Sequence, residues 1–310
     1  MTRDGGARER VPVDDATLAL LLEVAGTPKP GNVDRRRDLG ELHFESFLGG
    51  AVGARDGLEL ATNQEISVGR AFERGVAGMA DRAGTNTQFG CLLLLVPLLR
   101  ATATGDLSPA GVDRVTRETT VDDAIAFYRA FEHVDVAVAD PPADADDMDV
   151  RRGSDAEPAL RDRETTLRDV MRLSAAPADP ERIPDRNAQE WVEGFPRTFR
   201  AAEWIRTDEG PLTDRAARAF LGLLATEPDT LIAANHDPEV ARRASERATA
   251  VVGGGEHAEI DADAVHALDL DAAEELAEAF VAEGINPGTT ADLTCAALYV
   301  ALRRGAEVAP

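Results

Sequence analysis

The sequence predicts an all-α protein, and three observations lead to this prediction. Apolar residues recur at three- and four-residue spacing in ten segments, which is the period of a helix buried on one face. Aromatic residues make up only 5% of the chain, while Ala and Leu are abundant. Alternation of apolar and polar residues is scarce, and its best example is "HVDVAVAD" at 133–140.

The predicted helices follow one another with recognisable ends. The first begins with an Asp cap and stops at Gly26, and several others also end at a glycine. Pro97 is expected to kink the helix that contains it. The helices are predicted over residues 13–26, 44–61, 65–84, 85–105, 120–134, 186–205, 212–225, 237–253, 271–284 and 289–305.

Residues 139–160 form the clearest loop of the sequence. They are rich in Pro, Asp and Ala and show no periodicity. A linker between two domains and a surface excursion within one domain both fit this composition, and we favour the second. The 310 residues, 44% of them hydrophobic, are then expected to form a single compact domain of many medium-length helices.

The net charge of the chain indicates adaptation to a concentrated salt solution and does not indicate a binding partner. There are 57 acidic and 33 basic residues, a net charge of −24, and Lys29 is the only lysine. Carboxylates on a surface suit concentrated salt, where their repulsion is screened, so we expect a halophilic protein. No basic stripe with interleaved aromatic residues is present, which argues against a nucleic-acid partner.

The expected compartment is the cytoplasm. Cys91 and Cys295 lie in apolar helical patterns and are expected to be buried thiols without a disulfide. The N-terminus carries no apolar signal region, and the apolar run at 91–99 is too short to cross a bilayer. The sequence does not indicate an oligomeric state.

The lone lysine lies in the turn "GTPKPGNVDRR" at 26–36. Prolines on either side of Lys29 restrict the backbone, and Gly31 permits a positive φ or a close approach. Asp34 and Arg35 follow within a few residues. The turn could simply connect two helices and expose Lys29 to solvent. Because the chain uses arginine everywhere else, we favour a site that needs a compact ammonium, such as a phosphate site.

A second polar segment, "GTNTQFG" at 84–90, precedes the most apolar helix. Asn86 and Thr87 are placed to cap that helix. Free amides and the helix dipole at such an end also attract anions, so capping and anion binding are both open here.

Two further polar segments lie in the second half of the chain. "EPDTLI" contains Asp229 and Thr230, and Asp229 could cap the helix that follows. "NPGTTADL" contains Gly288 in a turn and Asp292 in the first turn of the last predicted helix. An acidic residue is electrostatically favourable there with or without a catalytic role.

Together and in this order, the four segments resemble the motifs of the triphosphoribosyl-dephospho-coenzyme A synthase family. The resemblance runs from about residue 14 to 305. It implies an all-α fold and two small-molecule substrates, ATP and 3′-dephospho-coenzyme A. The 2′-hydroxyl of the dephospho-coenzyme A ribose would attack the anomeric carbon of the ATP ribose, adenine would leave, and the triphosphate would stay attached. The product is the precursor of the prosthetic group on the acyl carrier subunit of citrate or malonate decarboxylating enzymes.

The resemblance also implies roles for residues of the four segments. Cations and amides would bind the triphosphate, and carboxylates would serve as acid, base, transition-state stabiliser or Mg²⁺ ligands. The candidate nucleotide-binding residues are Lys29, Gly31, Arg35, Asn86, Thr87, Thr230 and Gly288. The candidate catalytic residues, which are also the candidate Mg²⁺ ligands, are Asp34, Asp229 and Asp292.

The chain departs from the family's pattern at three places. Gln88 and Phe89 follow "NT" where the family has His-Lys, and His43 stands where it has an acidic residue. The last motif reads "PGTT" for "PGG". Two alternatives to the family's own reaction follow. One is ribosyl transfer to a different acceptor in another cofactor pathway, and the other is a non-catalytic helical protein that binds a nucleotide.

Overall fold

The computed structural model describes residues 10–138, 146–177, 179–253 and 260–308, and the predicted all-α fold is confirmed. Within these ranges there is no β-strand, apart from two isolated bridges in the loop at 34–42. The α-helices are α1 (Pro12–Ala25), α2 (Phe44–Gly53), α3 (Arg55–Thr62), α4 (Val68–Ala83), α5 (Phe89–Ala103), α6 (Pro109–Arg117), α7 (Val121–Ala130), α8 (Glu157–Asp162), α9 (Leu167–Ala175), α10 (Arg186–Glu193), α11 (Pro196–Thr207), α12 (Leu212–Thr226), α13 (Thr230–Asn235), α14 (Pro238–Val252), α15 (Ala262–His266), α16 (Leu270–Glu283) and α17 (Gly288–Arg303).

Two predicted helices are in fact pairs of helices. The segment 44–61 is broken at Ala54 between α2 and α3. The segment 186–205 is broken between α10 and α11, where Gly194 and Phe195 both have positive φ, of 82° and 63°. The helical period continues across each break, so the apolar pattern by itself did not show the turns. Pro97 lies inside α5 without ending it.

The segment 133–140, the best example of alternation in the sequence, forms no strand in its described part. Residues 135–138 have no regular secondary structure, and 139–140 lie outside the described residues. Their apolar side chains alternate, but no second strand is present in the described chain to accept their backbone hydrogen bonds.

The loop predicted at 139–160 is also corrected for its described part, since 139–145 lie outside the described residues. From residue 146 the chain forms two 3₁₀ segments, Asp146–Met148 and Val150–Ala156, and then enters α8. Met148 and Leu160 are buried, and the Tyr128 hydroxyl donates to the Met148 carbonyl at 2.6 Å. A few apolar residues thus fix this acidic segment against α7.

The core is centred on α5 and α17. Nearly every residue of both helices is buried, because α17 packs on α1, α5, α11 and α12. A helix that is apolar on all sides belongs in the middle of a helical protein. One large apolar cluster extends from Val13 to Ala306, as a single domain requires, and the single domain itself stays a prediction.

Both cysteines are buried free thiols, as predicted. None of the helices in the described ranges is long and apolar enough to cross a bilayer.

Candidate active site

A cavity of about 790 Å³ opens between the N-terminal ends of α5, α10, α13 and α17 and the faces of α1 and α7. A pocket of this size is in the usual range for small-molecule sites. It collects residues from all four polar segments of the sequence. Five of the predicted site residues line it, namely Asn86, Thr87, Thr230, Gly288 and Asp292.

Lys29 lies behind the cavity wall. It is 1% exposed, and its ammonium makes a short ion pair with Glu23 and donates to Asn32 Oδ1 at 2.9 Å. Glu23 and Asn32 line the cavity, whereas Lys29 does not. The solvent-facing alternative is therefore wrong. The geometry also does not favour the predicted direct contact between Lys29 and a triphosphate, because Glu23 and Asn32 already bind the ammonium.

The turn around Lys29 joins the first polar segment to the last. Asn32 Nδ2 donates to Asn286 Oδ1 at 3.0 Å, and both asparagines line the cavity. Gly31 has φ +71°, and a Cβ there would lie 1.9 Å from the Ile285 carbonyl oxygen. Only glycine lets the two backbones pass this closely, so Gly31 is needed for packing and is not placed to touch a ligand.

Asp34 organises the turn rather than the cavity. It is fully buried, and its carboxylate accepts from the Thr27 hydroxyl, from the Lys29 and Arg36 amides and from the Arg37 guanidinium, at 2.8 to 3.2 Å. A carboxylate with this many donors has no oxygen left for a reacting group. Arg35 is an exposed residue whose nearest polar partner is the Thr213 hydroxyl at 3.5 Å. Neither residue lines the cavity.

Asp229 holds two helix N-termini together. One oxygen accepts from the Leu231 and Ile232 amides at the start of α13, which is the predicted cap. The other oxygen accepts from the amide and the hydroxyl of Thr290 in α17, both at 2.7 Å. The neighbouring Thr230 faces the cavity, with its hydroxyl donating to the Pro184 carbonyl. Asp229 therefore positions the cavity wall but does not itself line it.

Asp292 is the predicted catalytic residue that does reach the cavity. It is half-buried in the first turns of α17, where Asn187 Nδ2 donates to Oδ2 at 2.8 Å and the Cys91 thiol donates to Oδ1 at 3.3 Å. Burial raises its pKa to about 7, with further raising from the Glu23 and Asp229 carboxyls, against the two hydrogen bonds that lower it. Near neutral pH this carboxyl can therefore donate a proton.

Two important wall residues were not identified from the sequence. Glu23, on α1, is 1% exposed, and burial raises its pKa while the charge of Lys29 opposes that shift. An acidic side chain among the apolar residues of α1 was the available signal. Asn187 of α10 holds Asp292, and its own Oδ1 is buried with no hydrogen-bond partner among the described residues. Nothing in its sequence surroundings distinguishes it.

At the start of α5 the N-cap is Gln88, and the predicted capping by Thr87 is wrong, because its hydroxyl has no hydrogen-bond partner among the described residues. Asn86 Oδ1 does accept from the Phe89 amide, at 3.2 Å. Gln88 lies behind the wall and donates to the Leu20 carbonyl. Phe89, which stands at the family's lysine position, lines the cavity and packs against Phe131 at 4.9 Å between ring centroids. This end of the cavity is therefore aromatic where the family pattern places a cation.

His43 is a surface residue. Its ring makes an ion pair with Asp38 at 3.0 Å, which raises the pKa of His43, and it does not line the cavity. It takes no part in the candidate site.

The three predicted Mg²⁺ ligands do not fit a shared metal site. The oxygens of Asp34 and Asp229 are occupied by protein donors, and Asp292 lies between an amide and a thiol. In the chain as described, no group of three or more His, Cys, Asp or Glu side chains is arranged to hold a metal ion.

A helical fold with a cavity of this size, and with two carboxyls in different environments in its wall, is that of a small-molecule enzyme with acid–base chemistry. The family model described as ATP:dephospho-CoA triphosphoribosyl transferase (CitG) matches residues 10–309. The chain belongs to this family and is a transferase that moves the triphosphoribosyl group of ATP to dephospho-coenzyme A. Neither the different acceptor nor the non-catalytic alternative has support in these comparisons.

A solved structure from Archaeoglobus fulgidus that carries the name triphosphoribosyl-dephospho-CoA synthase has the same fold. The TM-score is 0.61 and the sequence identity 22%, over 83% of this chain and 99% of that one. The search of curated protein sequences found no match.

Proposed function

We propose that the transfer takes place in the cavity, with Asp292 as the general acid and Glu23 as the general base. The observation behind this proposal is the difference between the two carboxyls. Asp292 is surrounded by neutral donors and its pKa is raised to about 7, while Glu23 is paired with the Lys29 ammonium. Two carboxyls with such different surroundings can divide the tasks of acid and base.

The step proceeds at the anomeric carbon of the ATP ribose. The acceptor's 2′-hydroxyl oxygen forms a bond to that carbon, and its proton passes to Glu23. The bond from the carbon to adenine breaks, and its electron pair goes to the adenine ring. Asp292 supplies a proton to the ring, and adenine leaves as a neutral molecule. As the bond to adenine lengthens, positive charge develops on the ribose, and the buried carboxylates stabilise it. Proton exchange with solvent restores both carboxyls.

Lys29 acts through Glu23 in this scheme. Its charge and its hydrogen bond lower the pKa of the Glu23 carboxyl and so oppose the rise that burial causes. The lysine is thus a positioning residue at the site, although the sequence suggested a direct phosphate contact.

We further propose that the nucleotide enters as its Mg²⁺ complex. Among the described residues that line the cavity, six are acidic and one, Arg182, is basic. The triphosphate brings about four further negative charges, which a metal ion carried by the nucleotide would partly neutralise. Mg²⁺ is therefore part of the substrate here, and the chain need not provide a resident site. Cytoplasmic location and the lack of a nucleic-acid partner stay predictions.

The test is an incubation in molar KCl with ATP, MgCl₂ and 3′-dephospho-coenzyme A, followed by mass spectrometry. We expect equal amounts of free adenine and of a product that keeps all three phosphates. Omission of the acceptor should abolish adenine release. Release of inorganic phosphate in place of adenine, or adenine without an adduct, would overturn the proposed reaction.

A further inference from the structure

An aromatic wall adjoins Asp292 in the cavity. We define it by Phe89, Phe127, Tyr128 and Phe131, which all line the cavity. Phe89 and Phe127 each pack against Phe131, with ring centroids 4.9 and 5.3 Å apart. The wall is therefore a packed aromatic cluster from α5, α7 and the residue that follows α7, and its largely buried rings border the cavity.

Gly90 connects this wall to the carboxyl. A Cβ at Gly90 would lie 1.9 Å from Asp292 Oδ2 and 2.7 Å from Asn187 Nδ2. Phe89 precedes Gly90 on α5, and Phe89, Asn187 and Asp292 all line the same cavity. A group bound in the cavity can therefore meet both the aromatic wall and the Asp292 carboxyl.

The chemistry of the wall excludes a phosphate and favours a flat, uncharged ring. Aromatic side chains give no charge to bind an anion, and base–aromatic stacking needs only a π face. The adjoining Asn187 is 8% exposed, and its Oδ1 has no partner among the described residues. A buried amide oxygen without a donor is costly, so a ligand or a water molecule that donates to it is expected.

We propose that the aromatic wall and Asn187 together form the subsite of the leaving base, and that this subsite selects a 6-aminopurine. The proposal rests on the proposed function, in which Asp292 is the group that protonates the leaving base. A 6-amino group donates to Asn187 Oδ1. Guanine and hypoxanthine carry an oxygen at that position, which would face another acceptor and leave both atoms unpaired.

The first test measures free bases and needs no variant. In molar KCl, isothermal titration calorimetry should show adenine binding at least tenfold more tightly than hypoxanthine. Equal affinity for the two bases would overturn the selectivity. Replacement of Asn187 by Ala should remove most of the difference.

The second test uses a matched pair of aromatic variants. Phe89→Leu removes a ring from the cavity wall, and Phe72→Leu removes a buried ring that packs on Phe89 at 5.0 Å but does not line the cavity. We expect Phe89→Leu to weaken adenine binding about tenfold, and Phe72→Leu to leave it within about twofold. If Phe72→Leu weakens binding as much, the wall does not contact the base.

The remaining measurements separate this inference from the proposed function and from the acceptor's own adenine. Selective adenine binding by a protein that releases no adenine from ATP would contradict the function and leave the subsite standing. Equal turnover of ATP and GTP would contradict the subsite alone. If 3′-dephospho-coenzyme A without ATP competes with adenine, and Phe89→Leu weakens that competition too, the wall holds the acceptor's base and the assignment to the leaving base is overturned.

Discussion

Glu23 in the wall of the cavity and Lys29 behind it form a buried ion pair, each with its side chain 1% exposed. Breaking a buried pair leaves one charge uncompensated and costs about 3–5 kcal/mol. We expect Lys29→Met to lower the unfolding free energy by that amount, and Lys29→Met with Glu23→Gln to recover part of it. Urea unfolding in molar KCl measures both variants.

Lys29→Arg tests whether charge alone is sufficient at this position. Arg is longer and planar, and the site around Lys29 is closed by Glu23, Asn32 and the ring of Phe220. We therefore expect lower stability and lower turnover than in the parent protein. Parent-like stability and turnover would show that a positive charge is all that the position requires.

Asp292→Asn should separate catalysis from folding. The variant keeps the size of the side chain but loses the proton that adenine takes, so kcat is expected to fall about a hundredfold or more. Asp229→Asn is the matched control, because this buried residue caps α13 and binds Thr290 without lining the cavity. It should lower the melting temperature more than it lowers turnover per folded molecule. If Asp292→Asn lowers mainly the melting temperature and Asp229→Asn lowers mainly turnover, Asp229 is the catalytic residue and Asp292 the structural one.

Gly90→Ala should disturb Asp292 without unfolding the protein. The added Cβ would overlap the carboxyl of Asp292 and the amide nitrogen of Asn187, which are side-chain and not backbone atoms and can move aside. Turnover is therefore expected to fall nearly as far as in Asp292→Asn, while the melting temperature changes little. Gly75→Ala is the control, since a Cβ there has no neighbour nearer than 3.7 Å and lies away from the cavity. Normal turnover in Gly90→Ala would show that Asp292 needs no fixed position.

The pH dependence of stability should carry the signature of Asp292. Its pKa is raised from 3.8 to about 7, by burial first and then by the charges of Glu23 and Asp229, while Asn187 and Cys91 donate to it and Cys295 lies nearby. Between these values the folded state binds the proton and the unfolded state does not. Stability therefore falls as pH rises from 4 to 7, by on the order of 4 kcal/mol for this group alone. Asp292→Asn should flatten that slope. An unchanged slope would show that a group other than Asp292 causes the pH dependence.

The net charge of −24 predicts a dependence on salt. At about 1 M salt the Debye length is about 3 Å, so repulsion between surface carboxylates is nearly abolished. We expect the melting temperature to rise strongly between dilute buffer and molar KCl, with activity following it. A melting temperature that does not change over this range would refute the halophilic interpretation.

The sequence by itself determined the helical fold, the four polar segments and the family. These rest on local features: helical spacing, capping residues, and short motifs in a fixed order. Cys91 and Cys295 were also placed correctly in the core, because an apolar helix such as α5 has no polar face to expose them.

Only the tertiary structure decided which polar residues face the cavity. Asp34, Asp229 and Asp292 look alike in the sequence, but Asp34 is occupied by donors of its own turn and Asp229 by its own helix start and by Thr290 of α17, whereas Asp292 remains at the wall. In the sequence, Lys29 lies in a polar turn that suggested a site, and Glu23 lies in an ordinary helix. Only the folded structure shows that the two side chains form an ion pair. The reason is physical. A carboxyl's role depends on its burial and on which donors surround it, and for Asp229 and Asp292 part of that environment comes from helices distant in the chain.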